Sequence, residues 1–318
     1  MKILLAGGAG YIGSALYPAL LDRGYEVDVI DLLWFGNHLP KGAKVIKKDI
    51  FALEENDLKN YNQVIFLAGL SNDPMAEFSP GKNFIYNAAA PAYLGYLAKR
   101  AGVRRFIYAG SCSVYGYTVN ELYNEQSPTV CNYPYGISKL QGEEAVMHMV
   151  AKDFSVICFR QGTVSGYSPR MRFDLVVNTM FKTAVTKKTI TVNNPSIWRP
   201  ILSIQDAVSA YVRAIESNED LSGIFNIASG NYTLGEIADI VRSTVEREMK
   251  LDIKLTIKHV QDLRNYKVSF VKAENVLSFK PLHDVGSIVK ELISNADKFK
   301  NFEDPNYYNI QVFKSLKS

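Results

Sequence analysis

A phenol and an ammonium group stand four residues apart in the run Tyr135-Gly136-Ile137-Ser138-Lys139. On a helix that spacing puts both side chains on one face, so the Tyr135 hydroxyl and the Lys139 amine can converge on one point. A free phenol titrates near 10, and moving it to neutrality takes roughly 4 kcal/mol of preferential phenolate stabilisation. A neighbouring ammonium can supply part of that, which would make Tyr135 an acid or base towards a substrate hydroxyl. The same spacing also suits an ordinary surface pair on a helix. A second run, Phe106-Ile107-Tyr108-Ala109-Gly110-Ser111-Cys112-Ser113-Val114-Tyr115-Gly116, reads as a strand that releases hydroxyl-bearing residues at its carboxyl end. Ser111 can there hydrogen-bond a reacting oxygen and help carry its proton to Tyr135. Capping or closing a turn is its competing role.

Such groups need a rigid frame, and the amino terminus supplies its first part. An apolar stretch over 2–6 runs into Gly7-Gly8-Ala9-Gly10-Tyr11-Ile12-Gly13 and then into a helical pattern. Strand, tight turn and helix in that order make a dinucleotide site. Gly7 accommodates the turn, Gly10 lets a diphosphate approach, and Gly13 lets the helix pack on the strand. The amides around Tyr11 and Ile12 at the helix start then face the phosphates. A second strand over 26–30 ends at Asp31, which can accept hydrogen bonds from both adenosine ribose hydroxyls and repel a 2'-phosphate. The cofactor expected is therefore NAD rather than NADP, and its positive nicotinamide ring would add to Lys139 in stabilising the Tyr135 phenolate. A flexible turn followed by a surface Asp is the plain alternative. Asp49 and Ile50 are expected near the adenine, and Leu67, Ala68 and Gly69 at the end of the fourth strand, where open sheets bind ligands.

Apolar strands alternating with amphipathic helices predict an α/β fold, a doubly wound parallel sheet with a smaller mixed α/β substrate-binding lobe. Further strands are expected over 63–68, 105–109 and 155–159. Helices are expected over 14–23, 81–100 and 133–152, with Pro18 and Pro91 distorting the first two. After Gly162 the sequence becomes turn-rich, interrupted by helical patterns over 204–216 and 234–250. The reading assigns 1–162 with 204–228 to the dinucleotide and 163–203 with 229–318 to the substrate. No repeat or low-complexity linker separates them.

A chain of 318 residues, 47% hydrophobic, can bury a large core, and a formal charge of +4 without a basic block argues against nucleic acid. The apolar start superficially resembles a secretion signal, but it breaks at Gly7 and is needed as a strand. No later stretch is long enough to span a membrane. Cys112, Cys131 and Cys158 lack paired metal spacing and fit a reducing cytoplasm. With His38, His148, His259 and His283 scattered, no metal is expected.

Taken together, these residues resemble the extended short-chain dehydrogenase/reductase superfamily, in its nucleotide-sugar epimerase and dehydratase branch. The glycine run matches that family's GxxGxxG, Asn87 its central-helix asparagine, and Ser111, Tyr135 and Lys139 its catalytic positions. The resemblance implies that Tyr135 is the acid/base and that Lys139 holds the nicotinamide ribose and lowers the Tyr135 pKa. Ser111 contacts the sugar 4-hydroxyl, and hydride passes from sugar C4 to NAD. It also implies a homodimer formed through helices beginning near Gly81 and Tyr133. Related 4,6-dehydratases carry an Asp-Glu pair where this chain has Cys112 and Ser113, and neither can act as carboxylic acid or carboxylate at neutral pH. Related 3,5-epimerases place a catalytic Cys at Ser113; Cys112 lies one position early and reads as a small buried hydrophobe.

For a nucleotide-diphosphate sugar, the second lobe offers Thr163, Tyr167, Arg170, Arg172, Asn178, Arg199 and Arg264, beside Ser113 of the first. Arg199 and Arg264 match diphosphate-binding arginines of the family, and Arg170 and Arg172 can grip phosphate the same way. Thr163 replaces a frequent Asn and Ser203 a frequent His. The stretch 168–178, with 262–269, is similar to nucleotide-activated heptose C4-dehydrogenases, which release a 4-keto sugar. The leading reading is an NAD-dependent nucleotide-sugar epimerase or oxidoreductase acting first at C4. The alternatives are a C4-dehydrogenase, a dehydrating lyase, and a non-catalytic NAD sensor; a sensor would be expected to have lost Tyr135 or Lys139. Replacing the acidic ribose partner, Asp31→Ala, is expected to relax the preference for NAD over NADP in parallel titrations. Unchanged selectivity would remove Asp31 from ribose recognition.

Overall fold

The computed structural model describes residues 1–259 and 264–316, with only the backbone described at 119 and 120. Seven strands form one sheet, in the spatial order Gly223–Ile227, Ser155–Gln161, Arg105–Ser111, Gln63–Phe66, Lys2–Ala6, Glu26–Asp31 and Lys44–Lys47. Every pairing in it is parallel. This is the doubly wound α/β architecture, and its strand order reverses between Lys2–Ala6 and Gln63–Phe66, where such sheets open a ligand crevice. Its two faces carry separate apolar layers. One packs Leu16 and Leu20 with Ala207, Ala210 and Ile215; the other packs Leu94, Leu97 and Val146.

A third apolar cluster joins the helices Val176–Lys187, Leu234–Met249 and Val285–Ser294. Each supplies residues three or four apart, as Ile237, Val241 and Val245 illustrate, so one stripe per helix faces the shared core. Smaller sheets flank it: Thr163–Ser165 and Gly230–Thr233 on Trp198–Ser203, Thr189–Asn193 with Lys254–Lys258, and Tyr117–Tyr123 with Asn265–Val268.

Several element boundaries differ from the sequence expectation for physical reasons. The first helix, expected over 14–23, spans Tyr11–Leu21 with Pro18 inside it. The expected helix over 81–100 is Pro80–Phe84, a π-helical turn over Ile85–Ala89, and Ala90–Arg100. The wide turn spares an i→i−4 bond just before Pro91, which has no N–H to give, and it turns Asn87 inward. The helix Pro134–Met147 stops short of 152 because the chain must reverse, through the Ala151–Phe154 bridge, to enter Ser155–Gln161. The strand Arg105–Ser111 runs two residues further than expected, since Gly110 and Ser111 pair with Arg160 and Gln161.

The helix carrying Tyr135 is bolted to this sheet by a buried ion pair. Arg160 Nη2 lies 2.6 Å from Glu143 Oε1, both side chains are almost inaccessible, and Arg160 also donates to the Tyr115 hydroxyl at 2.8 Å. Removing one partner of such a pair strands the other charge in a poor solvent. Glu143→Gln is expected to lower the unfolding free energy by about 3–5 kcal/mol in urea titrations; a loss below about 1 kcal/mol would show Arg160 finding other partners.

Candidate active site

A cleft of about 840 Å³ opens at the carboxyl edge of the sheet. It is lined by the glycine turn at Gly7, Gly10, Tyr11, Ile12 and Gly13, by Ser111, Ser113 and Tyr135, and by Thr163, Arg170, Arg172, Arg199 and Arg264. Gly7 has φ +79°, and a Cβ there would fall 2.5 Å from the Ala68 nitrogen, so both backbone angle and space demand glycine. A Cβ on Gly13 would lie 2.4 Å from the Gly8 oxygen, which is why helix and turn can pack so closely. A Cβ on Gly10 would meet only the Gly7 carbonyl, at 3.1 Å, and would otherwise project into the space above the turn that a phosphate needs.

Ser111 ends its strand, and Tyr135 stands in the first turn of Pro134–Met147. Both line the cleft. Burial pushes the Tyr135 phenol well above its usual value, while the nearby Ser111 hydroxyl and the Arg172 charge pull it back. Lys139 is also buried, which pushes its amine down to about 7. Its Nζ donates to the Ala109 carbonyl at 3.0 Å and lies 5.2 Å from the Tyr108 ring centre. Within the protein, then, Lys139 reaches the strand end beside Ser111, and the phenol's own surroundings keep it protonated.

Most sequence-predicted residues meet in this cleft, and several take supporting places instead. Asp31 accepts from the Ala9 amide at 3.1 Å and the Leu33 amide at 2.7 Å, so its carboxylate is fixed beside the glycine turn, and burial raises its pKa. Asp49 caps the short turn Ile50–Ala52 and accepts from the Tyr86 hydroxyl, while Ile50 belongs to the apolar layer. Leu67 and Gly69 line the cleft; Ala68 closes behind Gly7. Asn87 stands behind Gly69, donating to the Leu70 carbonyl at 2.9 Å and to Asn83 Oδ1 at 2.8 Å, and so fastens the Tyr135 helix through Ser138. Asn178, read as a substrate contact, is a fully buried brace. Its Oδ1 accepts from the Gly166 amide, and its Nδ2 donates to the Arg172 carbonyl and the Tyr11 hydroxyl. The Tyr11 side chain turns away to donate to the Gly166 carbonyl at 2.6 Å, leaving its backbone at the turn.

Arg172, 5.9 Å from the Tyr11 ring centre, is held by Asp174 at 2.8 Å. Burial pushes the Asp174 carboxyl up, but the Arg172 charge and hydrogen bond outweigh it and hold it low. Arg264 pairs with Asp73, and Arg199 donates to the Arg264 carbonyl. Asp262 and Leu263 of the predicted stretch lie outside the described residues. Cys112 is buried, its thiol pushed far up by desolvation while it donates to the Arg160 carbonyl.

Sequence reasoning missed Gln161, Asp73, Tyr266 and Asn309. Gln161 is the last residue of its strand, and that position at a carboxyl edge was a usable signal. Asn309 arrives from the far end of the chain and had none. Among the described residues, no cluster of metal-ligating side chains is present, and no helix is long and apolar enough to cross a membrane.

The model of the NAD-dependent epimerase/dehydratase family matches residues 3–228. A UDP-glucose 4-epimerase of Corynebacterium glutamicum is 25% identical over 312 residues, covering 92% of this chain and 94% of its own. UDP-glucuronic acid decarboxylase 3 of Arabidopsis thaliana is 26% identical over 297 residues, covering 88% and 84%. Among solved structures, MoeE5 in complex with UDP-glucuronic acid and NAD superposes with a TM-score of 0.82 at 24% identity, covering 94% of this chain and 99% of its own, a likeness of fold.

The buried Lys139 has a measurable signature. Its amine titrates at about 7 in the folded protein against an ordinary 10.5, so between those values the unfolded chain binds more protons and stability from this group rises with pH. Below that window the cost of burying the charge is present in full. Lys139→Met is expected to raise Tm most near about pH 6, with the gain over wild type shrinking towards about pH 10. A gain that stayed constant in calorimetry would mean that Lys139 is not buried as a charge.

Proposed function

The chain belongs to the NAD-dependent epimerase/dehydratase family, and on that premise we propose that it is a nucleotide-sugar epimerase or oxidoreductase acting first at sugar C4, with Tyr135 as its acid/base. Ser111 and Tyr135, near enough for the serine to act on the phenol and lining the same cleft as the glycine cradle, carry this reading. The family's cofactor suits the site: Gly10 leaves room for a diphosphate, the Tyr11 and Ile12 amides would hold it, and Asp31 would take the adenosine ribose. Bound NAD would accept hydride from C4 and, where the product is an epimer, return it to the opposite face.

The protein's own part is proton handling and orientation. Ser111 would hydrogen-bond the sugar 4-hydroxyl and relay its proton to Tyr135. Lys139 would hold the nicotinamide ribose and favour the phenolate by its charge. Arg199 and Arg264, close together in the cleft, would grip the sugar nucleotide's diphosphate, with Arg172, Thr163 and Ser113 around the sugar. In this reading residues 1–162 with 204–228 serve the dinucleotide and 163–203 with 229–318 the substrate. The relatives named for 4-epimerisation and decarboxylation of UDP-linked sugars support a nucleotide-sugar substrate. Dehydration is disfavoured because Cys112 is buried with its thiol neutral and Ser113 carries no carboxyl group. The segment 168–178, similar to heptose C4-dehydrogenases, supports release of a 4-keto sugar as the second reading. A cytoplasmic homodimer, joined through the helices at 80–100 and 134–147, fits the exposed Ile85 and Tyr96 side chains.

The test is a panel of nucleotide sugars incubated with the protein, with NADH absorbance and product analysis followed together. Stoichiometric NADH identifies the dehydrogenase, an epimer without NADH the epimerase, and no conversion of any sugar overturns the proposal. Tyr135→Phe is expected to retain NAD and to lower turnover by at least about a hundredfold; undiminished turnover would exclude Tyr135 as the acid/base.

A further inference from the structure

Arg170 carries a charge that its protein neighbours do not answer. Its side chain is 2% exposed, and its Nε and Nη2 have no hydrogen-bond partner. Asp31 and Asp174 act on it only through space, while burial and the nearby Arg172 push its guanidinium down to about 9. The group is nevertheless held firmly. The Phe35 ring lies 4.2 Å from the guanidinium carbon, and the Arg170 amide donates to Ser14 Oγ at 3.2 Å. Ser168 Oγ bonds the Tyr11 carbonyl at 2.6 Å and Ser14 Oγ at 2.9 Å. These contacts seat the backbone at 168–170 against the first turn of the helix Tyr11–Leu21, and Arg170 lines the same cleft as Gly10 and Ile12.

Two positive features therefore belong to one cleft wall: the amino-terminal end of a helix, with its unpaired amides, and a guanidinium whose buried Nε and Nη2 have no partner. They repel each other unless an anion lies between them. A group bearing one negative charge on each of two phosphates matches both sides at once, since a guanidinium donates in a planar fork to phosphate oxygens. Asp31, next to the same guanidinium, disfavours a further phosphate on the ribose.

We propose that Arg170 is the second jaw of a diphosphate clamp, gripping the pyrophosphate of the dinucleotide against the Tyr11 and Ile12 amides, and that it serves the cofactor and not the sugar nucleotide. The proposal rests on the NAD dependence of the family and is independent of which sugar is processed.

Binding measurements on nucleotide-stripped protein test it, using wild type, Arg170→Gln and Arg170→Lys with NAD, ADP-ribose, adenosine and UDP as calorimetric ligands. Arg170→Gln is expected to weaken NAD and ADP-ribose alike by at least about tenfold, about 1.4 kcal/mol. Adenosine, which lacks phosphate, and UDP, which probes the sugar-nucleotide end, should change less than about twofold. Arg170→Lys, a point charge without the fork, should recover part of the loss. The ligand-free Tm of Arg170→Gln should equal or exceed that of wild type, because an unanswered buried charge has been removed; a merely structural arginine would lower it.

Unchanged NAD and ADP-ribose affinity, a loss confined to UDP, or an equal loss of adenosine would each overturn the clamp. A loss confined to NADP would place the guanidinium at the ribose 2'-position and overturn it as well. Wild-type protein that bound neither NAD nor ADP-ribose would instead refute the cofactor assignment on which the clamp stands.

Discussion

Ser111 at the carboxyl end of a strand and Tyr135 in the first turn of a helix must meet in one cleft, and the surrounding architecture works to bring those two side chains together. The strand is held by pairing on both edges, with Gln63–Phe66 and with Ser155–Gln161. The helix is fixed at several points along its length. Asn83 donates to the Pro134 carbonyl, Asn87 reaches Ser138, the Tyr108 hydroxyl donates to the Asn87 and Lys139 carbonyls, and Glu143 locks onto Arg160. Gly142 permits this approach, since a Cβ there would lie 2.3 Å from the Asn87 oxygen. A reactive hydroxyl pair must be placed to within a fraction of an ångström, and a rigid scaffold rather than a loop provides that.

The electrostatics of the cleft follow from the same burial. Desolvation pushes the Tyr135 phenol up, the Lys139 amine down to about 7 and the Arg170 guanidinium down to about 9. Each shift disfavours the charged form, and for the phenol and the guanidinium a charged ligand group would reverse it: a cationic ring beside the phenol, anionic phosphates beside the arginine. Where charges are already matched, as in Arg172 with Asp174 and Arg264 with Asp73, the site has its own counter-ions, and a ligand must compete with them.

Much of this was legible in the sequence. The glycine turn, the strand ending at Asp31, the hydroxyl-bearing strand end and the Tyr135–Lys139 spacing are local patterns, and local patterns report backbone requirements and helical faces directly. The strand and helix alternation led to the doubly wound sheet for the same reason. The limits of local reading are equally specific. The π-helical turn at 85–89 depends on Asn87 finding partners across the fold, and the helix at 134–147 ends where the next strand demands a reversal. Asn309 meets Ser71 at 2.7 Å from the opposite end of the chain.

Residue type and spacing by themselves determined the glycine turn and the fold class and singled out Tyr135 as the candidate acid/base, because each is set by interactions within a few residues or by a repeating period. Which polar residue faces which ligand was decided only by the tertiary structure. Four side chains read as one substrate-binding group take different parts once folded: Asn178 becomes a brace, Arg172 pairs with Asp174, Arg264 pairs with Asp73, and Arg170 is left without a hydrogen-bond partner at Nε and Nη2. The contacts that direct them, such as Tyr11 to Gly166 across 155 residues of sequence, arise when distant segments are packed together. A side chain's partner in a buried cleft is chosen by that packing, and sequence spacing carries no record of it.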